Sequence, residues 1–489
     1  MAWSSLREFV SRLDDERELV RIDREVDPRL EITEIADRCM KSPEGGPALL
    51  FTNVRGSRVP LAINLFGSRR RLAWALGVED LAEHAQELAE ILRTQPGGSF
   101  FEKLKALPKL ARLAQAGPKR VSGAAPCQEI VDHEPDLGVL PVATCWPEDG
   151  GPFLTMAQVI TRDPDSGARN VGMYRMQVLG PRTTAMHWQV HKTGHRHYRR
   201  YRELGEKVPV AVALGGDPAC IYAASAPMPD GVDEYLLAGF LRKKPVRLVA
   251  AKTVDLEVPA DADVVLEGWV DPNEPLVDEG PFGDHTGFYT PKDRFPAFHL
   301  TCLTRRRDAI YPHTIVGPPP MEDAWLGKAT ERLFLPLVKM TFPEIVDLNL
   351  PVEGAFHNLA LVSIRKEYPA HARKVAMALW GTGQLMFTKC VVIVDDDVDV
   401  QNPGETLWRV LANLDPKRDL FFAEGPTDQL DHAPCTPCIS SKVGIDATRK
   451  WPEEGYTRGW PEVCRMSPEV VARVDRLWPE LGIPLRRRS

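Results

Sequence analysis

The chain has 489 residues, 43% of them hydrophobic and 26% charged, a balance typical of soluble globular domains at a length that requires two or three of them. With 61 Lys+Arg against 68 Asp+Glu the net charge is −7, which argues against general nucleic-acid binding, and no run of 18 apolar residues is present to span a membrane. Nine scattered cysteines and an N-terminus without an apolar h-region point to reduced thiols in a cytoplasmic protein.

In chain order, Ser5-Leu6-Arg7-Glu8 has the form of a capping box, and Leu6, Phe9, Val10 and Leu13 follow at helical spacing. A second helical pattern covers 30–40. The runs 47–54 and 59–66 read as strands separated by the turn residues Arg55-Gly56-Ser57. Helical segments over 68–76, 78–92 and 100–116 complete an α+β domain, residues 1–118, closed by the boundary Gly117-Pro118-Lys119-Arg120.

From 121 to about 320 short β-type runs dominate, each bounded by Gly, Pro or Asp, and predict a barrel or sandwich core within a second domain, 119–325. One helix over 232–241 interrupts it. The last part, 326–489, alternates helix and strand. An amphipathic helix over 323–342 precedes two apolar strand cores, 358–364 and 390–398, with a helix over 370–379 between them. That is a βαβ pattern and favours a parallel pair. Neither a dinucleotide fingerprint nor a P-loop occurs at these strands, and Asp395-Asp396-Asp397, which could bind a metal or a phosphate-linked cation at a strand's C-terminal end, reads first as a solvated turn.

The chemistry gathers at Glu279-Gly280-Pro281-Phe282-Gly283-Asp284-His285-Thr286-Gly287. Gly and Pro at this density exclude a regular helix or a central strand and make a tight, shaped loop. Two acids on such a loop suit general acid/base work, since environment can separate their pKa values; a solvated acidic turn is the plainer alternative, and the calcium-loop template fails. Asn170 and Arg175, five apart, point to opposite faces of an extended strand unless a bulge intervenes. His187, His191, His195 and His197 include two i,i+4 pairs, which could chelate zinc on a helix. Trp188, Val190, Thr193 and Gly194 instead suit a strand running into a turn, and a single imidazole beside oxygen ligands would suit a harder ion such as manganese. Glu234, in the first turn of its helix, is explained by the helix dipole alone. Cys435 and Cys438 form one C-x-x-C, with no second pair to complete a structural zinc site.

Taken together, the stretches DPRLEITEIADR, GPALLF, PVATCWPEDGGPF, NVGMYRMQ, PMPDGVDEYLLAG, EGPFGDHTGFY, FPEIVDLNLP, TKCVVIVDDDVD and SKVGIDATRKWP make the chain resemble the UbiD family of prenylated-flavin-dependent decarboxylases over essentially its full length. The resemblance implies a central split β-barrel flavin-binding domain between an α+β N-terminal region and an α/β C-terminal domain that supplies subunit contacts. It implies that Asn170, His191 and Glu234 hold a divalent ion, usually manganese, that bridges to the phosphate of prenylated FMN. Met173, Tyr174 and Arg175, with His187, Trp188, Gln189, Lys192 and Thr193, match the cofactor-contacting segments, and a potassium site on carbonyls of 223–228 is typical.

By the same resemblance Arg175, Glu279 and Asp284 form the catalytic network, in which Asp284 returns a proton to the carbon that loses carbon dioxide. That role predicts a raised Asp284 pKa from burial and a neighbouring acid. The block 313–337 resembles members of respiratory quinone biosynthesis, which implies a polyprenyl-4-hydroxybenzoate or dihydroxynaphthoate substrate in a ubiquinone or menaquinone route. A homodimer or homohexamer, a separate flavin prenyltransferase as cofactor supplier and peripheral membrane association with a polyprenylated substrate follow as expectations. The rival readings are another aromatic, heteroaromatic or cinnamic acid as substrate, a metal-dependent hydrolase, and a non-catalytic flavin-binding subunit.

Overall fold

The structure is a computed structural model, described over residues 2–92 and 115–483. The N-terminal capping box forms with one partner shifted. The Ser5 hydroxyl accepts the Glu8 amide at 3.2 Å, while the Glu8 carboxylate accepts the amide of Ser4 at 2.6 Å. The helix Leu6–Asp15 buries Leu6, Phe9, Val10 and Leu13, as the spacing predicts. Helices Glu31–Met40, Arg69–Ala75 and Ala82–Leu92 follow. The helix expected over 100–116 lies, apart from its last two residues, outside the described residues.

Strands Leu19–Ile22, Ala48–Phe51 and Leu61–Ile63 pair in that order, and Tyr311–Pro312, from far along the chain, adds a fourth beside Leu61–Ile63. The N-terminal region is thus stitched to the part of the chain that follows the central sheet. One core joins them: Ile32, Met40, Leu49 and Phe51 pack in the same cluster as Val159, Leu266 and Phe298.

The central sheet has nine strands, antiparallel throughout, and curls into a half-barrel. Its path runs Phe153–Leu154, Met176–Gly180, Thr183–Met186, Ala297–Arg305, Val264–Val270, Val208–Leu214, Gln158–Arg162, Arg169–Met173, with Ile130–Asp132 added on Ala297–Arg305. Among the described residues its end strands, Phe153–Leu154 and Arg169–Met173, do not pair with each other. The strand expected to run from the histidine cluster into a turn is different: it ends at Met186, and a helix, Thr193–Leu204, begins seven residues later. That helix buries Gly194, His197, Tyr198 and Tyr201, a helical stripe without a single aliphatic side chain.

The C-terminal sheet runs Ile345–Asn349, Leu359–Ile364, Cys390–Asp395, Ile439–Asp446, Leu420–Pro426. Its three middle strands are parallel. Helix His371–Trp380 covers one face and Pro403–Asn413 the other. The acids ending Cys390–Asp395 serve structure: Asp397 pairs with Arg409 at 2.9 Å and Asp395 accepts the Arg449 amide at 2.7 Å. A 20-residue helix, Glu322–Thr341, links the two sheets. It packs on Arg69–Ala75 and Ala82–Leu92, and its far end meets Ile345–Asn349.

Candidate active site

Arg175 occupies the break between strands Arg169–Met173 and Met176–Gly180, and this break releases it from the alternation that would turn it away from the loop. Its Nε donates to Glu279 Oε1 at 2.7 Å and its Nη2 to Glu279 Oε2 at 3.1 Å, a bidentate pair. A third nitrogen, Nη1, binds Asp284 Oδ2, and Nη2 also reaches Thr290 Oγ1 at 3.2 Å. The guanidinium lies over the Phe282 ring, 4.5 Å from its centre.

Glu279 ends strand Val277–Glu279, which pairs with Asp293–Phe295, and Asp284 sits in the short hairpin beyond it, Phe282–Gly283 paired with Tyr289–Thr290. It is braced from outside. Gln177 Oε1 accepts the Gly280 amide at 2.7 Å, and Asp149 Oδ1 accepts the Gly283 amide at 2.8 Å. Gly283 has no alternative, since a Cβ there would lie 2.1 Å from the Trp146 ring.

Both acids are buried, Glu279 completely. Burial alone would raise their pKa values. For Glu279, hydrogen bonds from His187 and Arg175 and the guanidinium charge outweigh burial and bring it down to about 2. For Asp284, Arg175 and then His285 do the same and hold the carboxyl far below the usual range. The raised Asp284 pKa expected from the sequence is therefore overturned: the neighbour that governs this acid is a cation, and Asp284 is ionised as it stands.

His187 closes the network with Nδ1 3.4 Å from Glu279 Oε2, its ring 4.2 Å from that of Phe295, and a buried Nε2 without a partner among the described residues. Trp188 is buried beside it, and among the described residues its indole nitrogen also has no partner. Gln189 begins the turn into helix Thr193–Leu204, accepting the Lys192 amide at 3.0 Å. The N-cap residue Lys192 makes no side-chain cap, and with Thr193 it lines a cleft of about 230 Å³ that His191, Arg196, Arg199 and Asp230 also line. Such a helix start suits a phosphate. Tyr174 is buried and its hydroxyl accepts the Gly194 amide at 3.1 Å; Met173 is half-buried next to it.

Asn170 and Glu234 come together. Glu234 accepts the Val171 amide at 2.9 Å, and Asn170 is buried next to it, its side chain directed toward the Tyr174 hydroxyl. Burial, only partly countered by backbone hydrogen bonds, pushes the Glu234 carboxyl up to about 7. A buried acid whose burial is under-compensated is the environment a cation would relieve, with the Asn170 side-chain oxygen available as a neutral donor beside it. His191 is exposed at the mouth of the cleft, its ring 5.6 Å from Phe387, and makes no hydrogen bond to either residue among those described. The described residues contain no cluster of three or more His, Cys, Asp or Glu fit for a metal, so an ion here would need a ligand's oxygens to complete its shell. Cys435 and Cys438 are free thiols.

The far wall comes from the C-terminal region and was not legible as a site. His285 Nδ1 lies 3.0 Å from Asp284 Oδ1, and its Nε2 lies 2.6 Å from Nε2 of His357. Asp323, in the first turn of Glu322–Thr341, is pushed up to about 7, mainly by burial and with Asp284 adding to it, against the pull of His285.

Three family models match the chain: the N-terminal domain (residues 10–92), Rift-related domain (119–319) and C-terminal domain (324–447) of 3-octaprenyl-4-hydroxybenzoate carboxy-lyase. A relative from Aquifex aeolicus is 52% identical, covering 98% of this chain and 99% of its own. Among solved structures, the UbiD-class enzyme HmfF from Pelotomaculum thermopropionicum, in complex with FMN, is 31% identical with a TM-score of 0.78, covering 94% of this chain and 97% of that one. Vanillic acid decarboxylase from Sedimentibacter hydroxybenzoicus in closed form is 26% identical with a TM-score of 0.86, covering 99% and 100%; its open forms score 0.80 and 0.79.

Proposed function

Because the chain belongs to the UbiD family of carboxy-lyases, we propose that it is a non-oxidative decarboxylase of an aromatic acid working with prenylated FMN. The observation that carries this reading is the buried Arg175–Glu279–Asp284 network. Ionised Glu279 fixes the guanidinium on two bonds. Arg175 then has one edge left to share between Asp284 and a substrate carboxylate. A substrate anion arriving beside Asp284 adds a like charge and draws on Arg175, and both effects raise the acid's proton affinity. Asp284 can then hold a proton and return it to the carbon that has lost carbon dioxide.

When bound, the prenylated flavin supplies the electron sink that lets the carboxylate leave. Tyr174, Met173, His187, Trp188 and Gln189 would border it. Lys192, Thr193 and the helix start behind them would take its phosphate. Asn170, Glu234 and His191 would hold a divalent ion, manganese in our reading, against that phosphate. The carbonyls of 223–228 would add a monovalent site. A separate prenyltransferase supplies the cofactor. For the substrate we favour an aromatic hydroxy acid of the quinone-precursor type, on the strength of the family description.

We also read the chain as a cytoplasmic homo-oligomer, dimer or hexamer; a dimeric form of HmfF is among its structural neighbours. No described helix is long and apolar enough to cross a membrane.

The test is a visible spectrum and denaturing mass spectrometry of the ligand released from protein co-expressed with a flavin prenyltransferase. Carbon dioxide release from 4-hydroxybenzoate, vanillate and a dihydroxynaphthoate would follow. A prenylated FMN mass with turnover of an aromatic acid is expected. A colourless protein that hydrolyses substrates with metal alone would replace this reading with the hydrolase.

A further inference from the structure

The Asp284–His285–His357 chain joins two distant parts of the sequence. His285 belongs to the hairpin that carries Asp284, whereas His357 stands just before strand Leu359–Ile364 of the C-terminal sheet. Both imidazoles are half-buried, and Phe356 lies 5.5 Å from the His285 ring.

Two imidazole nitrogens 2.6 Å apart can share only one proton, one ring giving it and the other accepting with its lone pair. At the opposite edge of His285, Nδ1 faces a carboxylate oxygen at 3.0 Å and therefore donates. If His285 donates at both edges it is an imidazolium, and His357 must be neutral with a bare Nε2. The surroundings favour that division. His285 faces Asp284, Asp323 and Asp428. His357 faces His285, Asp428, Asp431 and Lys389, and Asp431 is already bound to Lys389 at 2.9 Å. Against burial, the carboxylates push His285 up, while burial and the charge of His285 push His357 down to about 4. As a whole, the chain superposes more closely on the closed form of the vanillic acid decarboxylase than on its open forms.

We propose that His357 is a positioning residue for the catalytic acid: brought in by the C-terminal region, its Nε2 accepts the Nε2 proton of His285 and turns the Nδ1 edge of that ring onto Asp284 as donor. This rests on the reading of Asp284 as proton donor. The Nδ1 proton of His285 passes to Asp284 Oδ1 as substrate charge raises the acid's affinity. His285 thereby becomes neutral, its Nε2–H still donated to His357. Asp284 delivers the proton to carbon and becomes a carboxylate again, and one proton from water restores the imidazolium. The C-terminal region thus decides when the acid is charged with its proton.

The test reads the rings themselves, independently of turnover. In the full chain labelled with ¹⁵N-histidine, the His285 and His357 signals are assigned from the His285→Gln and His357→Gln spectra and followed with pH. Wild-type His285 should hold both ring protons at pH 7. In His357→Leu, or in His357→Phe should Leu not fold, its midpoint should fall by about one pH unit. His357→Gln offers an amide oxygen to the same proton and should restore it. A His285 titration unmoved in the folded Leu or Phe variant, or a Gln variant that behaves like them, would overturn the proposal. If the holoenzyme decarboxylates no aromatic acid, the proposed function falls while the ring coupling is still read.

Discussion

Asp284 sends its two oxygens to different partners, Oδ2 to Arg175 and Oδ1 to His285, so every change of charge around it passes through one of those bonds. Asp284→Asn keeps the shape and removes the proton. Turnover should drop by about 10²–10⁴, with flavin content unchanged, measured as carbon dioxide release against the absorbance ratio. A variant that keeps the wild-type rate would take Asp284 out of the donor role. At the phosphate end, Glu234 has a structural bond to the Val171 amide that Gln can keep. Glu234→Gln should fold normally yet bind the divalent ion about 100-fold more weakly or worse and lose flavin with it. Metal analysis and flavin stoichiometry equal to wild type would refute the ligand assignment.

At the scale of elements, the helix Thr193–Leu204 separates what the sequence reveals from what it hides. Amphipathic helices such as Leu6–Asp15 and Glu31–Met40 were legible because aliphatic side chains mark one face. Here the buried face is Gly194, His197, Tyr198 and Tyr201, whose polar atoms masked the period. The loop carrying Glu279 and Asp284 was legible, because its chemistry is contiguous. Its partners were not derivable from spacing: Arg175 and His357 approach from other sheets, and no local rule connects them to the loop. The same helix allows a prediction. A Cβ on Gly194 would lie 2.8 Å from Trp188 Nε1 and 3.0 Å from Tyr174 Oη, so Gly194→Ala must push the helix start back. Flavin affinity should fall about tenfold, the equivalent of one lost hydrogen bond, in a protein of near-normal circular dichroism. Unchanged affinity by fluorescence titration would mean that the phosphate is not held there.

At the scale of the molecule, the C-terminal sheet has one helix-covered face that stays apolar on its outer side. Leu407, Trp408 and Leu411 of Pro403–Asn413 are 59%, 54% and 68% exposed, and Phe422 on the edge strand Leu420–Pro426 is 71% exposed. In the homo-oligomer proposed above, these exposed apolar side chains would line the subunit contact. Leu411→Glu with Trp408→Glu should shift the sedimentation coefficient to that of a monomer without unfolding the chain; a variant that sediments as wild type would exclude this patch from the subunit contact. The linking helix Glu322–Thr341 has a mechanical consequence as well. Its 20 residues form a rod ~30 Å long, anchored at one end beside Asp284 through Asp323 and at the other against the C-terminal sheet. A tilt of ~10° about the anchored end carries the far end ~5 Å. Pro336, which cannot donate to the carbonyl of Arg332, gives that rod a flexure near its loaded end. Packed on Arg69–Ala75 and Ala82–Leu92 as well, the rod couples the outer sheet, the N-terminal helices and the acids through one element.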